Sequence, residues 1–172
     1  MPKHIIPVYE MSATNCGKLA VKLEPAGDFV SMKCEKGQTG YGGETGWTMV
    51  TSIVAEDAES TIVVYHDQAG VQTYLERQGP QRMFEDWLDF DVEGSWKSAN
   101  GAHGYTVSRF FGLFDSVQVP CFAFAHYGGH VARTTGYRHL VSGFYCENTE
   151  SDQPVSDARI KEMIGKIKTR VF

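Results

Sequence analysis

Apolar and polar residues alternate in short runs along much of this chain. "KLAVKLE" (18–24) sets Leu19, Val21 and Leu23 against Lys18, Ala20 and Lys22. That two-residue period predicts a strand. A helix is the competing assignment, with Cys16, Leu19, Ala20 and Leu23 on one face. "PAGD" (25–28) has turn chemistry, and "FVSMKCE" (29–35) predicts a second strand paired with the first. "WTMVTSIVA" (47–55) and "STIVVYH" (60–66) are rich in β-branched residues and read as a hairpin around "EDAE". "VQTYLE" (71–76) and "YTVSRFFGLF" (105–114) predict further strands.

Helical periodicity occurs in two places. "GPQRMFEDWLDF" (79–90) puts Pro80 at a first helical position and spaces Met83, Phe84, Trp87 and Leu88 for one face, which predicts a short helix. "VSDARIKEMIGKIKTRVF" (155–172) has Ser156 as an N-cap and Asp157 in the first turn. Ile160, Met163, Ile164, Ile167 and Val171 then form an amphipathic stripe suited to a core. Two glycine-rich stretches, 37–46 and 93–104, predict loops. The pattern therefore predicts one α+β domain over residues 1–172. Its antiparallel β-sheet has about six or more strands, a C-terminal amphipathic helix packed on one face, and one short additional helix.

"CFAFAHYGGHVARTTGYRHLVSGFYC" (121–146) joins two alternating runs through turn residues. Folding it back so that Cys121 faces Cys146 brings Phe122 against Tyr145, Ala123 against Phe144 and Phe124 against Gly143. Those are favourable cross-strand partners at a spacing close to what a disulfide needs. Cys16 and Cys34 flank the other expected hairpin. Structural zinc sites take close pairs such as C-x2-C, and none exists here. The cysteines thus predict disulfides Cys16–Cys34 and Cys121–Cys146, which suit an oxidising compartment. Reduced thiols in a cytosolic α+β domain are the alternative.

Composition narrows the partners. The formal net charge is −5, without a basic cluster of the kind that neutralises phosphates, which argues against nucleic acid. No apolar run is long enough for a transmembrane helix. The opening "MPKHIIPVYEM" lacks the apolar core of a signal peptide. An exported protein would then be present here as its mature form.

Catalytic patterns are sparse. His126 and His130 have metal-pair spacing, but "YGG" between them breaks a helix, and His139 lies on the next strand, so no metal or other cofactor is expected. Cys16, His130 and Asn148 (or Asp152) follow the Cys, His, Asn order and in that respect resemble papain-like peptidases and amidases. The residues around Cys16 depart from the Cys-Gly-Ser-Cys-Trp signature of that family. There is no G-x-S-x-G elbow and no dinucleotide fingerprint. The closing pattern, a cysteine-flanked aromatic hairpin followed by "PVSDARI" and a short helix, resembles small exported bacterial proteins and implies no activity.

The sequence therefore favours an exported, periplasmic or secreted, disulfide-containing domain that binds a protein or cell-envelope component without catalysis. Tyr41, Trp47, Trp96, His103 and Tyr105, in or beside the two glycine-rich loops, are the candidate contact residues. A papain-like hydrolase using Cys16, His130 and Asn148 is the alternative.

Overall fold

The computed structural model describes residues 8–40, 47–70, 74–80 and 90–172. Their dominant feature is one nine-stranded antiparallel sheet. Its strands are β1 (Val8–Thr14), β3 (Ser31–Gly40), β4 (Trp47–Glu56), β5 (Ser60–Ala69), β6 (Leu75–Glu76), β7 (Asp91–Ala102), β8 (Tyr105–Phe114), β9 (Val117–His130) and β10 (Gly136–Glu147). They lie in the order β1-β3-β4-β5-β10-β9-β8-β7, and β6 pairs with the start of β10. A small second sheet joins β2 (Val21–Leu23) to β11 (Ile167–Thr169). One helix, α1 (Asp157–Gly165), lies near the carboxyl end, as the α+β pattern predicts.

Local chemistry sets the turns. In the β4–β5 turn, Asp57 Oδ1 accepts from the backbone N–H groups of Glu59 and Ser60 at 2.8 and 2.7 Å. His103 and Gly104 both have positive φ, as do Asp115 and Ser116. These are two-residue hairpin turns whose twist matches that of the flanking strands.

The register of the long β9–β10 hairpin agrees with the alternation in its sequence. Cys121 pairs with Cys146, Phe122 with Tyr145, Ala123 with Phe144 and Phe124 with Gly143. Alternate residues feed two cores. One face carries Ile53, Ile62, Val64, Val107, Phe122, Phe124 and Tyr145 under Ile160, Met163 and Ile164 of α1. The other carries Phe110, Val119, Leu140 and the Cys121–Cys146 pair, with Phe90, Val92 and Trp96 packed against them.

Four expectations are corrected. Residues 18–24 and 29–35 do not pair with each other; β2 pairs with β11, while β3 pairs with β1 and β4. The Cys16–Cys34 disulfide therefore ties a 3-10 turn to a sheet strand rather than closing a hairpin. Gly37–Gly40 belongs to β3, where ladders on both sides outweigh the entropic cost of glycine. Residues 93–102 form most of edge strand β7, whose two register shifts accommodate its irregular sequence. Finally, α1 stops at Gly165 rather than continuing to residue 172, because Ile167–Thr169 finds a strand partner in β2. Ile167 is still buried, from a strand. Pro80 is helical; the rest of the expected helix over 79–90, along with residues 71–73 of the expected strand, lies outside the described residues.

Candidate functional site

Cys16 follows Asn15, whose side-chain oxygen accepts from Gly17 N–H at 2.8 Å and shapes the 3-10 turn. Its sulfur is bonded to Cys34, and Cys121 is bonded to Cys146. No free thiol remains among the described residues. His130 pairs with Tyr137 at one end of β10, and Asn148 follows Glu147 at the other. That separation is roughly 35 Å along a strand. The Asn148 N–H donates to Glu59 O at 2.8 Å. Cys16, His130 and Asn148 are thus not brought together, and the first has no thiolate to offer.

The expected contact residues are also dispersed. Tyr41 lies outside the described residues, and Trp47 is the first residue of β4. Trp96 sits in β7 and packs on Phe110 with ring centroids 4.2 Å apart. Tyr105 is core, 5% exposed. His103 is exposed at the β7–β8 turn.

Three histidines occupy the face that also carries α1. His66 Nε2 lies 3.1 Å from His139 Nδ1. Their nearly parallel rings have centroids 5.3 Å apart. That separation exceeds the N···N distance by about two ring radii, so the rings lie end to end and share an N–H···N hydrogen bond rather than stacking face to face. Burial, followed by repulsion from His139, lowers the His66 pKa to about 4. Burial and then Arg138 lower that of His139. His126 is on the same face but is engaged elsewhere. Its ring stacks on Phe172 at 3.9 Å and meets the edge of Tyr105 at 5.0 Å. Among the described residues, no group of three or more metal-ligating side chains converges.

The feature with most chemical content is a pocket of about 290 Å³ at the β7–β8 turn end of the sheet. Its walls include Arg77, Gln78, Thr106, His126, Tyr127 and Tyr137. Several elements assemble it, with Thr106 coming from β8. The stretch after β6 brings in Arg77 and Gln78, held by Gln78 N–H donating to Tyr127 Oη at 3.0 Å. β9 supplies His126 and Tyr127. β10 supplies Tyr137, whose ring centroid is 5.4 Å from that of Tyr127. Gly104, at the turn, has φ +86°, and a Cβ there would sit 3.1 Å from His126 Cε1. A glycine therefore lets the turn close against the imidazole.

Two buried side-chain polar atoms among the described residues, His126 Nδ1 and Tyr105 Oη, have no hydrogen-bond partner, and Tyr105 belongs to the core under α1 rather than to the pocket's lining. Leaving such an atom unpaired costs about 1–3 kcal/mol. Burial, then Arg77, lowers the His126 pKa. Burial raises that of Tyr127, and Asp67 adds to the rise. Asp67 is partly buried on the other face, flanked by Val50 and Leu140 in the neighbouring strands. Loss of water there raises its pKa to about 7.

No protein family, curated protein or solved structure matches this chain. Of the pocket residues, only His126 stands out in the sequence. Arg77, Gln78 and Tyr127 gain their roles through a contact spanning 49 positions. His66 and Asp67 do carry a local signal, because two ionisable residues interrupt the β-branched run of β5.

Proposed function

We propose that this chain is an extracytoplasmic, disulfide-stapled binding domain that holds a small ligand in the pocket between Arg77, His126, Tyr127 and Tyr137. The observation that carries the reading is the pocket itself, where the docking of Gln78 on Tyr127 brings Arg77 and Gln78 beside the adjoining Tyr127 and Tyr137 rings. The volume lies at the lower end of the range for small-molecule sites. Two disulfides favour an oxidising compartment. Among the described residues, no helix is long and apolar enough to cross a membrane. The dispersal of Cys16, His130 and Asn148 supports binding rather than hydrolysis.

The test is an NMR titration of the labelled protein with phenol and with benzoate at millimolar concentrations. Saturable shifts are expected at the Gly79 and Gly104 amides. Thr106 is exposed in the pocket wall, so Thr106→Trp should fill the space and abolish them while leaving the remaining spectrum in place. Failure of both probes to produce saturable shifts rejects the reading.

A further inference from the structure

The pocket's wall chemistry is one-sided. Arg77 supplies a cation, and among the described residues that line the pocket there is no Asp or Glu. Tyr127 Oη already accepts from Gln78 N–H, so its own proton remains to be donated. Thr106 contributes an exposed hydroxyl. Arginine pairs with carboxylates through two parallel N–H···O bonds, and a phenol O–H adds a third donor. Beside these donors, the Tyr127 and Tyr137 rings present flat apolar surface. Aromatic faces and edges suit a planar, unsaturated body.

We propose, resting on the binding reading above, that the ligand class is a small carboxylate with a planar, apolar body. Its carboxylate pairs with Arg77 and accepts from Tyr127 O–H, while its ring lies against Tyr127 and Tyr137. The volume of about 290 Å³ admits a molecule of one or two rings.

The experiment compares benzoate with benzamide, which has nearly the same shape and no charge. Benzoate is expected to bind at least tenfold more tightly, monitored by the Gly79 and Gly104 amides. Arg77 is exposed, so Arg77→Gln should leave the fold and thermal midpoint intact. It should reduce benzoate affinity at least tenfold, to the level of benzamide, and leave benzamide affinity unchanged. Tyr127→Phe should also weaken benzoate more than benzamide. Equal affinities for the two probes, or an Arg77→Gln variant that binds benzoate as well as wild type, would overturn the carboxylate assignment and leave the pocket standing as a binding site. Absence of saturable shifts with both probes would overturn both.

Discussion

His66 and Asp67 are consecutive in β5 and face opposite sides of the sheet, and burial moves their proton affinities in opposite directions. His66 falls to about 4 and Asp67 rises to about 7. For His66 the unfolded chain binds a proton more readily, so its contribution to stability is complete above about pH 6.5 and is lost as pH falls toward 4. For Asp67 the folded chain binds the proton more readily, so its contribution is complete below about pH 3.8 and is lost as pH rises toward 7. Between about pH 4 and 6.5 the two slopes oppose each other, each worth up to about 1.4 kcal/mol per pH unit. Asp67→Asn should remove one side of this balance, making stability rise with pH more steeply than in wild type. His66→Gln should make it rise less steeply or fall. Denaturation midpoints at several pH values would show this. Parallel pH profiles for wild type and both variants would refute it.

Arg159 ties the helix to the sheet. Its Nε donates to Tyr145 Oη at 2.9 Å, and its guanidinium also reaches Ser60 Oγ at 3.3 Å and Asp57 at 3.4 Å. Tyr145 is 1% exposed and borders the core under α1. Arg159→Met leaves the Tyr145 hydroxyl with Ser60 alone and should cost about 1–3 kcal/mol. In the Tyr145→Phe background the same change should cost less, since the hydroxyl is already gone. A double-mutant cycle in reversible denaturation measures the difference. Strict additivity would show that the hydrogen bond contributes nothing.

These features differ in how far the sequence discloses them. The pairing of β9 with β10 was legible because strict alternation on both sides of one turn leaves a single register that faces cysteine to cysteine. Ser156 as N-cap, and the stripe of Ile160, Met163 and Ile164, were legible because their information lies within a few residues. By contrast, β7 and β11 are strands because of partners elsewhere in the chain. β7 borrows its ladder from β8, and Ile167–Thr169 pairs with Val21–Leu23 almost a whole chain length away. The pocket is less legible still, since it depends on Gln78 docking on Tyr127. No local period encodes that contact.

The disulfides differ in accessibility. Cys121 and Cys146 are 0% and 5% exposed, whereas Cys16 is partly exposed in its 3-10 turn. Denatured, unreduced protein should contain no titratable thiol. Mild reductant applied to the native protein should open Cys16–Cys34 first, as judged by mass spectrometry after alkylation. Replacing either pair by alanines should cost about 3 kcal/mol on loop-closure grounds, for sequence separations of 18 and 25 residues. Thiols in the unreduced sample, or earlier opening of Cys121–Cys146, would contradict the assignment.

Gly143 is the tightest point in the central hairpin. It pairs with Phe124 on one side and Val64 on the other. A Cβ at this position would collide with the backbone oxygen of Val63 and lie 2.7 Å from Phe124 Cζ. The Phe124 ring is fully buried, and a strand carbonyl in the middle of the sheet cannot withdraw without breaking its ladder. Overpacking a well-packed core costs about 1–3 kcal/mol and sometimes more. Gly143→Ala should fall at or above the top of that range, because backbone rather than a flexible side chain must move. Gly27, by contrast, has open space where its Cβ would be, and Gly27→Ala should change stability by less than about 0.5 kcal/mol, as exposed substitutions do. Urea denaturation of the two variants measures the contrast. A Gly143→Ala protein as stable as Gly27→Ala would mean that β9, β10 and β5 pack more loosely at this point than the structure shows.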